Sequence, residues 1–150
     1  MRLSILVLIF LGACHSTLPV LLRQTSECPE GYVPVDLGSG EFRGRAISSG
    51  GVVLAIRERS NAEHASLEFW TAVVKKELTE VQGYAVRSSK ELQGGRALLF
   101  ATPRERTTSY YIALYVTPER IVTVEIAGPR SEVEKDLPRL EDFISKLKLG

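Results

Sequence analysis

Carboxylates are plentiful in this chain, but thiols and imidazoles are few: two cysteines, Cys14 and Cys28, and two histidines, His15 and His64. A thiolate can attack carbon, bind metal or pair into a disulfide, and an imidazole moves protons near neutral pH. Their spacing supports little of this. There is no H-x-x-x-H and no Cys/His cluster, which argues against zinc, and no C-x-x-C pair to suggest redox catalysis. His64 opens an amphipathic segment and reads as a solvated helix residue rather than a base. Gly38-Ser39-Gly40 lacks the third glycine of a dinucleotide-binding loop and precedes β-like sequence. No G-x-S-x-G elbow and no phosphate-binding G-x-x-x-x-G-K-[ST] loop occurs. Glu77 with Glu80 and Glu132 with Glu134 are ordinary helix and lead-in charges unless a fold makes them converge in a cleft. The expectation is a chain with no catalytic set, no metal and no cofactor.

Cys14 is the thiol with a context. Leu11-Gly12-Ala13-Cys14 closes an apolar run, Leu3 to Ala13, that follows a single basic residue, Arg2. At about 11 residues the run is too short for a transmembrane helix, which needs roughly 20, and it reads as the core of a cleaved signal. The four residues resemble the lipobox of bacterial lipoprotein signal peptides. That resemblance implies a signal-peptidase box of Leu11, Gly12 and Ala13. It implies diacylglycerol joined to the Cys14 thiol, with Cys14 as the mature N-terminus anchored in the membrane through that lipid. His15 rather than Asp follows the cysteine, as in lipoproteins sorted to the outer membrane and facing the periplasm. With Cys14 acylated, only Cys28 keeps a thiol, so no internal disulfide can form. Cys28 is then an inert thiol or pairs between chains, and Glu27 and Glu30 beside it do not favour a reactive thiolate.

Charge narrows the partners. The chain has 19 Lys and Arg against 18 Asp and Glu, and loss of Arg2 with the signal leaves 18 against 18. Phosphate backbones require clustered positive charge, so nucleic acid is not an expected partner. The expected organisation is a signal over residues 1–13, a lipidated N-terminus and tether over 14–31, and a single domain over 32–150. The tether holds Pro19 and Pro29 and one apolar patch, Leu18 to Leu22, which either docks on the domain or lies in the lipid interface. Extended, it reaches roughly 50 Å.

The elements that must position any site are legible from periodicity. Tyr32 to Leu37, Glu41 to Ile47 and Val52 to Arg57 read as strands, with Pro34 marking an edge and Ser48-Ser49-Gly50-Gly51 a hairpin. A helix is expected from about Asn61 to Val81, opened by Ser60 and Glu63 in capping-box spacing and closed by Gly83. Its stripe Leu67, Trp70, Val74, Leu78 and Val81 packs on a sheet, with Trp70 as core rather than a ligand platform. Tyr84 to Leu92 and Arg96 to Thr102 flank Gly94-Gly95. Ser109 to Val116 and Ile121 to Ala127 flank a four-residue loop that sets Val116 opposite Ile121. Tyr111, Ala113, Tyr115, Val122, Val124 and Ile126 then share a wholly apolar face. The other face mixes Ile112, Leu114, Val116 and Ile121 with Thr123 and Glu125, so the sheet should be covered fully on one side and partly on the other. A last helix is expected over Leu137 to Leu147, with Asp136 as N-cap because Pro138 suits only a first turn.

This is an α+β pattern: an antiparallel β-sheet with two main helices packed on it. Over about Tyr32 to Leu149, and most of all in Gly94-Gly95-Arg96-Ala97-Leu98-Leu99-Phe100, Tyr110-Tyr111-Ile112-Ala113-Leu114-Tyr115-Val116 and the closing Lys146-Leu147-Lys148, it resembles the PsbP-like fold found in small lipoproteins of the DcrB type. The resemblance implies a non-catalytic binding or accessory module in the bacterial cell envelope, working on an envelope protein partner. A small periplasm-facing hydrolase acting on an envelope polymer is the alternative, and it would need a nucleophile, a base and an oxyanion site brought together. The loop residues Arg104, Glu105 and Arg106 and the turn residues Glu119 and Arg120 are the candidate partner contacts, since loops carry recognition more often than strands.

Overall fold

The computed structural model describes residues 28–35, 42–103 and 107–147. Seven strands form one antiparallel sheet: β1 (Tyr32–Pro34), β2 (Phe42–Ser48), β3 (Val53–Ser60), β4 (Ala85–Leu92), β5 (Gly95–Ala101), β6 (Thr108–Val116) and β7 (Arg120–Pro129). Their spatial order is β1-β2-β3-β7-β6-β5-β4. Chain neighbours pair by hairpins except at one crossover, where α1 (Leu67–Lys76) and a π-helical turn (Glu77–Val81) carry the chain from the middle of the sheet to its far edge. The last helix, α2, spans Arg130–Lys146. The fold is α+β, as the alternating apolar pattern and the two helical stripes predict.

Register follows the side chains. Val116 pairs with Ile121, as the four-residue loop dictates, and the ladder runs on to Thr108 opposite Pro129. Tyr111, Ala113, Tyr115, Val122, Val124 and Ile126 lie on one face with Leu54 and Ile56, under Val133, Leu140 and Ile144 of α2. The other face carries a smaller core, Leu98, Phe100, Ile112 and Leu114, under Leu67, Trp70, Val74 and Leu78. The two helices therefore sandwich the sheet, and the α1 side is the less completely covered. Pro34 lies on an edge strand, where its missing N–H costs no ladder bond. The β2–β3 hairpin closes through Gly51, whose φ of 79° lets its N–H reach Ser48 O at 3.0 Å.

Both helices start elsewhere than local signals suggest, for tertiary reasons. Ser60 does not cap α1, because β3 continues through it to complete its ladder opposite Arg120. Asn61 is buried instead. Its side-chain N–H groups bond Ala65 O at 3.0 Å and Thr117 O at 2.8 Å, and its Oδ1 accepts from Ala65 N at 3.2 Å and Trp70 Nε1 at 3.0 Å. The chain then turns through His64, at φ 49°, and Ser66 becomes the cap, its Oγ accepting from Phe69 N at 3.2 Å. The far end is as expected: Gly83 takes a φ of 72° and brings Tyr84 N to Leu78 O at 2.8 Å. Val81 is exposed, so the buried stripe ends at Leu78.

In α2, Asp136 is not an N-cap, because the helix already begins at Arg130 and includes Ser131 to Lys135. Helix runs unbroken through Pro138. Burying Val133 on the same stripe as Leu140 and Ile144 outweighs the hydrogen bond that proline removes. Asp136 accepts from the Tyr32 hydroxyl at 2.9 Å and lies 3.1 Å from Arg139 Nη2, whose guanidinium covers the Tyr32 ring at 5.7 Å. This clasp fixes the short edge strand β1 to α2.

A groove between α1 and the sheet as candidate functional site

Where α1 crosses β6 and β5 it leaves part of the sheet face beside it open, and a groove of about 340 Å³ runs along that boundary. This is within the size range of ligand sites, roughly 300–1,000 Å³. Its helix wall is Trp70, Val73, Val74, Glu77 and Leu78. Ile112, Leu114 and Ile121 make an apolar floor, with Tyr110, Thr123 and Glu125 at one part of it. The opposite wall is β3, presenting Arg57, Arg59 and Ser60. This is the mixed face that the β6–β7 register implies. The β3 wall joins it only because Arg57 pairs with Thr123 and Arg59 with Ile121 across the sheet.

The polar residues of the floor gather on Glu125 with one residue of the β3 wall. Arg57 Nε lies 3.0 Å from Glu125 Oε1, and Thr123 Oγ1 donates to the same oxygen at 3.3 Å. The Tyr110 phenol also faces Glu125; burial first, and then that carboxylate, hold its proton well above the usual phenol range. Glu125 is thus a charge-paired acceptor and Tyr110 a protonated donor. Such a groove can hold an apolar surface and orient it by a few polar contacts.

The described imidazole, His64, lies outside the groove, with Nδ1 2.7 Å from Pro118 O. No group of three or more His, Cys, Asp or Glu side chains among the described residues could hold a metal ion, and no helix among them is long and apolar enough to cross a membrane. Cys28 packs half-buried against the α2-side core.

The structure places some sequence-derived site residues and not others. Leu11, Gly12, Ala13, Cys14 and the contact loop Arg104, Glu105 and Arg106 lie outside the described residues. Glu119 and Arg120 build the β6–β7 turn: Thr117 Oγ1 donates to Glu119 Oε2 at 3.3 Å, and Arg120 Nη1 lies 3.8 Å from Glu58 Oε1. Thr107, which follows the contact loop, is separated from this turn by the nine residues of β6, a span of roughly 27 Å. The turn and the flanks of the loop therefore sit at opposite ends of a strand. Arg57, Arg59, Glu77 and Tyr110 were not marked by any local motif; only the long-range β3–β7 pairing and the crossing of α1 gather them.

Trp70 serves both the core and the groove. It belongs to the apolar stripe, its ring meets Phe69 edge-on at 5.4 Å, and its N–H is satisfied by Asn61, yet one side lines the groove. Because the ring is only partly buried, Trp70→Ala is expected to cost about 2–3 kcal/mol, short of the roughly 3–5 kcal/mol of a fully buried aromatic. Urea unfolding measures this, and an unchanged midpoint would show that α1 does not depend on the ring.

No family model matches the chain. A search of curated proteins finds no match either. Solved structures do share its architecture. The solution structure of cyanobacterial PsbP (CyanoP) from Synechocystis sp. PCC 6803 superposes with a TM-score of 0.52 at 9% identity, covering 90% of this chain and 96% of that one. PA94 of Pseudomonas aeruginosa, a protein of unknown function, superposes with a TM-score of 0.54 at 12% identity, covering 77% and 79%. At such identities the likeness is one of fold, and the fold is PsbP-like.

Proposed function

We propose that this chain is an envelope lipoprotein, anchored through Cys14 and facing the periplasm from the outer membrane, whose domain is a non-catalytic binding or accessory module. The observation that carries the binding role is the open groove between α1 and β3: an apolar floor and helix wall, with the half-buried carboxylate Glu125 already matched by Arg57, Thr123 and Tyr110. A site whose floor carboxylate is already ion-paired is arranged to receive an apolar surface rather than to transfer protons. The anchoring half rests on the lipobox-like Leu11-Gly12-Ala13-Cys14 and on His15 after it. The PsbP-like fold of CyanoP is consistent with an accessory role, by analogy of fold.

Two measurements on the full-length protein test this. Intact mass should show cleavage before Cys14 plus the acyl mass, and Cys14→Ser should lose both the acyl mass and membrane retention. A Cys14→Ser protein that still fractionates with membranes would overturn the anchor, and wild-type protein in the inner membrane would overturn the sorting. For the binding role, a photocrosslinking residue at Val73 on the groove wall should give a crosslinked species in intact cells, whereas one at Lys135 on the exposed side of α2 should not. Absence of any crosslink from Val73 would remove the groove as a binding surface. Turnover of an envelope polymer, abolished by one polar change without loss of fold, would establish the hydrolase instead.

A further inference from the structure

We infer that the chain's own apolar segment Leu18-Pro19-Val20-Leu21-Leu22 docks on the open sheet surface beside β1, and that docking shortens the tether. The segment lies outside the described residues; the surface does not. Val33 stands opposite Ile47, Ile47 opposite Val53, and Val53 opposite Ala127, so these four side chains form one apolar row across β1, β2, β3 and β7. The row runs on into Tyr110 and Phe100, which places it on the α1 side. α1 packs over β5 and β6 and leaves the outer end open. Val33 is 64% and Ile47 40% exposed, Val53 and Ala127 are half-buried, and none of the four belongs to either core cluster.

Shape, length and composition name the occupant. A helix with its side chains is about 10–12 Å thick, so a bilayer or other flat surface approaching this side meets α1 before the row, whereas an extended chain fits in the step beside the helix. The chain also arrives at the right end. Cys28 packs on the α2-side core, Pro29 O accepts from Tyr32 N at 3.0 Å, and β1 follows, with Val33 first in the row. From Cys28 back to Leu22, six extended steps reach roughly 20 Å, enough to round β1 and gain the other face, since chains packed on a sheet lie about 10 Å from it. The row from Val33 to Ala127 spans three strand spacings, about 14 Å, and Leu18 to Leu22 extended covers about 13 Å. The residues that round the edge, Arg23-Gln24-Thr25-Ser26-Glu27, are all polar, and apolar sequence begins where the chain reaches Val33. Pro19 biases itself and Leu18 to extended backbone. So short a connection holds the segment at an effective concentration of the order of millimolar, which makes a modest surface sufficient. With Cys14 anchored as proposed above, docking leaves residues 14–17 as free spacer, roughly 14 Å in place of roughly 50 Å, and keeps the α1 side close to the membrane.

Limited trypsin digestion of the purified full-length protein tests the docking. Cleavage after Arg23 requires the protease to take Leu21 and Leu22 into its own cleft, so docking should slow it. Ile47→Asp on the surface and Leu18→Asp on the segment should each speed that cleavage by about tenfold or more, with the thermal midpoint nearly unchanged, because neither position is in the core. Both leave the residues next to the cleaved bond intact. Equal cleavage rates for wild type and Ile47→Asp would overturn the docking. A photocrosslinking residue at Ile47 in the full-length protein in cells identifies the occupant. The product should keep the monomer mass and join position 47 to residues 18–22. A crosslink to lipid or to another polypeptide, or no crosslink, would overturn the inference. Neither readout depends on acylation of Cys14 or on a partner in the groove, so loss of those readings leaves this result in place.

Discussion

Above the usual phenol range, near pH 10, the protein is expected to unfold steeply instead of titrating in place. Four tyrosines are held above their ordinary value. Burial leads in every case, and the next cause is a carboxylate: Asp136 for Tyr32, Glu125 for Tyr110, and Glu141 for Tyr111 and Tyr115. Tyr111 also donates to Glu141 Oε1 at 3.2 Å, and Lys90 Nζ holds that carboxylate's other oxygen at 2.7 Å. A phenol with a raised folded value contributes stability that is fully present below the unfolded value and is lost as pH climbs towards the folded one. In that window the unfolded chain binds fewer protons, so stability falls by at most about 1.4 kcal/mol per pH unit for each phenol, and by less where water screens the group. Acting together, four such groups can exhaust an ordinary stability of about 5–15 kcal/mol within a few pH units. Tyrosinate absorbance and far-ultraviolet circular dichroism should change together in one transition. Phenols that ionise near pH 10 with the dichroism intact would show that these rings are not sealed. Tyr111→Phe, by removing one of the four protons, should shift the transition upward.

What the sequence disclosed, and what it withheld, divides along the range of the interactions. The β6–β7 register was legible because an even loop fixes it, and from it came the apolar face under α2 and the mixed face bearing Thr123 and Glu125. The α1 stripe and its Gly83 stop were legible for the same reason: period and cap are local. The starts of the helices were not. Ser60 and Glu63 have capping-box spacing, but the β3–β7 ladder claims Ser60, and the Asn61 amide is drawn to Thr117 O, 56 residues away. Asp136 has the chemistry of a cap, yet Tyr32, 104 residues away, holds it inside the fold. In each case a contact formed only in the folded chain outweighs a signal worth about 1 kcal/mol. The groove was half visible on the same grounds. Its floor lies on a hairpin whose register could be read, whereas its strand wall, Arg57 and Arg59, depends on a pairing across more than sixty residues. The contact residues drawn from loop composition fared differently: Glu119 and Arg120 are engaged in building their turn, far along β6 from Thr107.

Phe100→Ala is expected to be the most damaging single change on the α1 side, costing roughly 3–5 kcal/mol, a large share of an ordinary domain's stability. Phe100 is 0% exposed and belongs to the small cluster Leu98, Phe100, Ile112 and Leu114 that carries the helix. Its ring lies 6.4 Å from Tyr84 edge-on and 6.5 Å from Tyr110, while those two rings meet at 5.9 Å. Removing it empties the middle of a three-ring packing, and the antiparallel ladders of β5 with β4 and β6 leave the backbone little freedom to close the void. The comparison with Trp70 isolates the cause. Both residues sit in the same core, but Trp70 keeps one side towards the groove, so its truncation opens a dent that water can enter instead of a sealed cavity. Because Leu78 and Tyr84 pack on this cluster at the far end of the crossover, a cavity here should also let α1 shift on the sheet and weaken the Val73 crosslink in the protein that remains folded. Urea unfolding followed by far-ultraviolet circular dichroism, which needs no indole, gives the midpoints of both variants, and the Val73 crosslink reads the shift of α1. A Phe100→Ala midpoint no lower than that of Trp70→Ala would mean that this cluster relaxes around the gap, and that α1 is held chiefly by its ends.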